Sequence, residues 1–189
     1  MFLSIFKVFL LILFSLFSFN CENRDAYPWS MDSLDNIIVK NSEKMILVDF
    51  ETDWWTWCDR LDSDTYSDKR IIKYANENLI SIKIDAEKGI GPEQKKKYRV
   101  RGYPTILFLN SSGNEIDRIV GYRPPDEFLA ELVRIKSGTN TLSSLQSKYL
   151  GNMDDPSLEL TLAEKYINLN VKDSAEKHLK NALQYYEQD

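Results

Sequence analysis

Apolar positions along the chain form three kinds of run. The first is almost continuous: Val8 to Phe19 is apolar except for Ser15 and Ser18, with Lys7 the only charge before Glu22. At about a dozen residues it has the length of a signal-peptide core and is short of the ~20 residues of a membrane span. The second kind is short and bounded by polar residues. Met45-Ile46-Leu47-Val48-Asp49-Phe50 reads as a strand buried on both faces, and Leu79 to Asp85 alternates apolar and polar as a strand does. Thr105 to Leu109 and Ile116 to Val120 flank the turn residues Ser111-Ser112-Gly113-Asn114 and predict a hairpin. The third kind has helical spacing. Leu34, Ile37 and Ile38 mark one helix, and a second is expected from about Trp57. Asp68 is placed to cap a third, which carries Ile71, Ile72, Tyr74 and Ala75. Pro92 suits the first turn of a fourth, and Phe128, Leu129, Leu132, Val133 and Ile135 define a fifth that ends before Gly138. Strands separated by helices imply parallel pairing, and a closing hairpin is antiparallel. The fold class is therefore α/β, with a mixed central sheet covered by helices on both faces.

The amino-terminal run divides the chain. Residues 1–20 read as an export signal, with Lys7 beside the amino terminus as its positive region and a retained anchor helix as the alternative. Cys21 falls where the apolar core ends and resembles the acceptor cysteine of a bacterial lipoprotein. Ser18-Phe19-Asn20 departs from that pattern, which prefers Leu three places earlier and a small residue just before the cysteine. The polar residues 21–32 read as a tether, 33–138 as the main domain and 139–189 as a helical tail. Hydrophobic residues make up 43% of the chain and charged residues 28%, as in an ordinary globular protein. A net charge of −5 without a basic stripe gives no electrostatic support for nucleic-acid binding. One histidine, His178, and two cysteines rule out a zinc constellation or a Ser/His/Asp set, so no metal or cofactor is expected. His178, between Lys177 and Lys180, reads as part of a solvated helix face.

The order of elements and several residues resemble the thioredoxin-like family. Ile46 to Trp54 is similar to that family's buried strand and the loop that leads to its redox motif. Gly102-Tyr103-Pro104-Thr105 resembles its cis-proline loop, and Gly113 and Gly121 fall where its last hairpin has glycine. The Cys-x-x-Cys motif is degenerate in Trp54-Trp55-Thr56-Trp57-Cys58-Asp59-Arg60-Leu61. If Cys58 were the first cysteine, Leu61 would replace the second, and the loop after Asp49 would be three residues too long. With Cys58 as the second, Trp55 replaces the first and the spacing from Asp49 and Trp54 agrees with the Trp-Cys-Gly-Trp-Cys subfamilies. The second register is preferred.

That resemblance implies that the attacking thiol is gone and the resolving one remains. Three readings of Cys58 stand: a small buried hydrophobe, a reactive monothiol, or a thiol that pairs with a partner, Cys21 included if it is not lipidated. Asp49 matches the family's proton-shuttling carboxylate and reads either as residual redox chemistry or as an inherited core arrangement. Trp54, Trp55, Trp57, Tyr103 and Pro104 are the candidate binding residues, because the family's cis-proline loop pairs with an extended substrate segment. From Pro156 onward, Leu162, Ala163, Tyr166, Ala175, Leu179 and Ala182 resemble the packing positions of one tetratricopeptide repeat. A lone repeat cannot bury its own face, so it must pack on residues 141–150, the main domain or a partner. The implied function is an exported, envelope-located protein that binds peptide or protein partners without dithiol turnover. The alternatives are an oxidoreductase or isomerase working through Cys58 alone or with a partner's thiol, and an adaptor that binds through its tail.

Overall fold

The computed structural model describes residues 26–40, 43–152 and 155–187, so the signal at 1–20 and Cys21 lie outside the described residues. The elements follow in the order α1 (Leu34–Lys40), β1 (Met45–Glu51), α2 (Thr56–Arg60), a π-helical turn (Leu61–Thr65), α3 (Lys69–Asn78), β2 (Leu79–Asp85), α4 (Gly91–Lys97), β3 (Thr105–Leu109), β4 (Glu115–Val120) and α5 (Pro125–Lys136). Three more helices make the tail: α6 (Leu142–Gly151), α7 (Pro156–Asn168) and α8 (Lys172–Tyr186). The sheet order is β2-β1-β3-β4. β1 runs parallel to β2, with Val48 opposite Ile82, and antiparallel to β3, with Val48 opposite Leu107. This is the mixed sheet predicted from the hydrophobic pattern.

Period-two alternation in β1 sends its residues into two cores. Ile46, Val48 and Phe50 join Leu34, Ile37, Ile82, Ile84 and Leu107 on the α1/α4 face. Leu47 joins Leu61, Tyr66, Ile71, Ile106, Phe128 and Leu132 on the α3/α5 face. Asp49 has the parity of Leu47 and so enters the second layer beneath α2. Each large side chain sealed in these layers contributes about 1.5–3 kcal/mol relative to exposure. Asp68 caps α3 by accepting from the Arg70 N–H at 2.8 Å. At the β3–β4 turn Gly113 has φ +75°, a backbone conformation that favours glycine, and a Cβ there would also press on the Ile38 Cδ1 methyl at 2.7 Å.

Two expectations need correction. The tether does not extend to residue 32: Tyr27 is buried, its hydroxyl lies 3.1 Å from Ser81 Oγ, and Trp29 forms a parallel bridge to Ser81 at the outer edge of β2. Two aromatic rings two residues apart bury more apolar surface than a solvated linker would leave exposed. His178 is not on a solvated face. It is 6% exposed, its Nδ1 lies 2.5 Å from Glu159 Oε2, and its ring stacks on Tyr166 at 5.4 Å. Ala175, His178 and Ala182 follow at spacings of three and four, which places them on one helical stripe; Lys177 and Lys180 lie off it.

The tail packs on the main domain. α6 lies against β4, and the buried Asp117 carboxylate of β4 accepts from Arg134 of α5 at 2.7 Å and Lys165 of α7 at 2.8 Å. Of the six repeat-like positions, Leu162, Ala163, Tyr166, Ala175 and Ala182 are buried, whereas Leu179 is exposed. Leu142 and Leu145 of α6 complete the small core around Leu162 and Tyr166.

Candidate functional site

The loop that leaves β1 turns at Asp53 and Trp54 and enters α2 at Trp55. Trp55 is the N-cap residue, with extended backbone at φ −98° and ψ 107° and no side-chain cap. Its carbonyl accepts the Cys58 N–H at 2.8 Å, which closes the first helical turn. Cys58 therefore lies inside the turn, three residues after Trp55 at the helix start. After Arg60 the helix widens, and the Tyr66 N–H bonds to the Leu61 carbonyl at 2.9 Å. This π turn brings Leu61 and Tyr66 into the core and points Thr65 Oγ1 at the Arg123 carbonyl, 2.7 Å away.

Cys58 is 4% exposed. Burial pushes its thiol up to about 11; a hydrogen bond with Thr52 backbone opposes this, and the Asp49 and Glu51 carboxylates add to it. Such a thiol holds very little thiolate at neutral pH, the reverse of an activated cysteine. It is a free thiol.

Asp49 is 1% exposed and its Oδ1 has no hydrogen-bond partner among the described residues. Burial raises its carboxyl to about 7 even though Lys83 pulls the other way. Lys83 stands opposite Asp49 in the β1–β2 register and holds Glu51 and Asp62, each at 2.6 Å. Asp49, Glu51 and Asp62 could each turn one carboxylate oxygen toward a common cation. The Lys83 ammonium, salt-bridged to two of the three, already occupies that role. Lys83, Glu51 and Asp62 were not anticipated from the sequence, since only the parallel register places Lys83 beside Asp49.

Above this buried layer lies an aromatic surface. Trp54, Trp55 and Trp57 are 62%, 38% and 45% exposed. Trp54 and Trp55 meet edge to face at 5.4 Å, and the Trp54 indole N–H donates to Glu87 Oε2 at 2.9 Å. Trp57 lies 5.7 Å from the Tyr122 ring, with the Arg60 guanidinium over both. The Tyr103–Pro104 peptide is cis. Pro104 is buried with its carbonyl taken by the Gly121 N–H at 2.8 Å, and the Tyr103 hydroxyl accepts from Lys95 at 2.5 Å. The indoles are thus the open part of the candidate surface, while Pro104 and Tyr103 are partly enclosed.

A family model described as a thioredoxin-like domain matches residues 33–136. The thiol:disulfide interchange protein DsbD of Photorhabdus laumondii is 34% identical over 100 residues, which cover 50% of this chain and 17% of that protein. The protein of the same name from Yersinia pestis is 30% identical over 106 residues, or 54% of this chain and 18% of its own length. The match thus spans less than a fifth of these curated relatives. A solution structure of a candidate disulphide-isomerase from Bacteroides thetaiotaomicron has a TM-score of 0.52 and 34% identity, covering 59% of this chain and 93% of that one. A DsbH oxidoreductase at 18% identity and a TM-score of 0.52, covering 59% of this chain and 86% of its own, shares the fold.

Proposed function

The chain belongs to the thioredoxin-like domain family, and from that membership and the geometry around Cys58 we propose that it is an exported, partner-binding member without dithiol turnover. The observation that carries this reading is the pairing of an indole at the helix start with a buried, high-pKa thiol one turn later. A dithiol enzyme needs an exposed attacking thiolate at the position Trp55 holds, backed by a second thiol to release the mixed disulfide. Among the described residues there is one cysteine, and it lies at the resolving position. The three exposed indoles suit recognition of a protein or peptide segment, since aromatic side chains dominate binding energy in such surfaces, and in this reading the cis-proline loop serves the same partner. In this reading Cys21 carries a lipid that holds the protein at a membrane of the cell envelope, and the tail is a single tetratricopeptide-like repeat used as a buttress.

A second reading is favoured by one feature, the Asp49 carboxyl held near 7. A proton relay of that kind suits an oxidoreductase or isomerase that works through Cys58 as a monothiol or with a partner's thiol. Alkylation separates the two readings. Iodoacetamide at neutral pH should label native Cys58 on the order of 100-fold more slowly than a free cysteine, with full labelling after denaturation. Labelling of the native protein at the rate of a free cysteine would favour the monothiol.

A further inference from the structure

The aromatic face carries a charge pattern that narrows its partner, an inference that rests on the partner-binding reading. Residues 51–64 contain Glu51, Asp53, Asp59, Asp62 and Asp64 against the single base Arg60, so this stretch alone holds −4 of the chain's −5. Some of that charge is compensated: Lys83 holds Glu51 and Asp62, Lys88 holds Asp53 and Asp85, and Arg60 holds Asp64. Asp59 and Glu87 are exposed and have no cationic partner among the described residues.

The surface already displays one cation seated in aromatic rings. The Arg60 guanidinium lies 5.5 Å from the Trp57 ring centroid and 4.9 Å from that of Tyr122. Its Nε donates to Asp64 at 3.1 Å, and the Tyr122 hydroxyl donates to the same carboxylate at 3.1 Å. Two rings and a carboxylate therefore hold a cation supplied by the chain itself. Trp54, Trp55 and Glu87 repeat that composition on the neighbouring part of the face. There the two rings meet edge to face and the carboxylate is fixed by the Trp54 indole N–H, but no cation of the described residues lies over either ring.

We propose that the Trp54/Trp55/Glu87 face, with the exposed Asp59 four residues after Trp55 in the chain, docks an extended basic segment of a partner protein and seats a Lys or Arg side chain against the indoles. Ring quadrupoles attract such a cation and the uncompensated carboxylates orient it. Charge complementarity of this kind discriminates against acidic segments and weakens with salt.

Fluorescence anisotropy of labelled peptides titrated with the full chain tests this. Short Gly/Ser peptides carrying several Lys and Arg, several Glu, or no charge serve as probes. The basic peptide is expected to bind at least ~10-fold more tightly than the acidic one and to weaken several-fold between about 0.05 and 0.3 M NaCl. Glu87→Gln and Asp59→Asn should each weaken it by about 2–5-fold, and Trp54→Ala by at least as much. These are exposed positions, and circular dichroism is to be used to check that each variant is folded before its binding is read. Equal binding of all three peptides overturns the proposal and leaves the partner-binding reading intact. A basic peptide that binds but ignores Glu87→Gln and Trp54→Ala overturns it too, because the site is then elsewhere. Failure to bind any peptide overturns both.

Discussion

A carboxyl at position 49 breaks the apolar row that β1 sends toward the α3/α5 core, and its ionisation has a cost the fold must bear. Burial holds it at about 7 in the native protein, against ~3.9 in the unfolded chain. The folded state therefore binds the extra proton between those values. Asp49 contributes most to stability below pH 4; that contribution falls as pH rises to about 7 and is flat above. The expected loss is of order 4 kcal/mol at most, with Lys83 limiting it. Asp49→Asn should remove this slope and make the protein more stable than the original at pH 8, with the gap closing toward pH 4. Urea melts across that range check it, and unchanged slopes would show that Asp49 is not titrating in this window. At this scale the sequence was informative about Asp49, Cys58 and the indoles, because each interrupts or follows a strand whose pattern is plain. Lys83 and Glu87 were not legible, since their roles depend on strand register and a loop contact rather than on local pattern.

Among the elements, α7 and α8 depend on a buried polar pair. Glu159 is 1% exposed and is held by His178 at 2.5 Å and Asn181 at 2.9 Å, with the Tyr149 ring edge-on to the histidine. His178→Ala leaves that buried carboxylate with Asn181 alone and should cost about 3 kcal/mol. Hydrogen exchange should show faster opening in α7 and α8 while the sheet keeps its protection; equal protection of the hairpin in both proteins would contradict the assignment. The helices themselves were readable from period and capping residues, as Asp68 and Pro92 illustrate. The face that His178 takes was also written in its spacing from Ala175 and Ala182, but two neighbouring lysines obscured it. The docking of Tyr27 and Trp29 on β2 was less accessible, because so short a segment gains its structure only from the sheet edge it meets.

At the scale of the whole molecule, the sheet's two outer strands are both covered, β2 by residues 27–30 and β4 by α6. Removing residues 139–189 would uncover β4 and leave Asp117 with Arg134 but without Lys165. A chain ending at Gly138 should melt at lower temperature and associate with rising concentration, as an open strand edge does; a monomer of unchanged stability would contradict a buttressing role for the tail. The mixed sheet and its covering helices follow from apolar runs that local pattern reveals, whereas the strand order does not, and the Asp117–Lys165 contact joins residues 48 apart in the chain and appears only once the tail is docked. The proposed function rests on the register in which Trp54 to Leu61 is matched to the family's redox motif. The most direct measurement is dithiothreitol-driven insulin reduction by the original protein, Trp55→Cys and Leu61→Cys, each first checked for folding because losing a packed side chain can cost ~3 kcal/mol. Trp55 opens the helical run and Cys58 lies one turn in, so Trp55→Cys puts a thiol at the helix start with its partner at disulfide spacing. The account predicts background activity for the original protein and for Leu61→Cys, and a clear gain for Trp55→Cys. Activity in the original protein, or a gain in Leu61→Cys with Trp55→Cys inert, would contradict it and make Cys58 the attacking thiol.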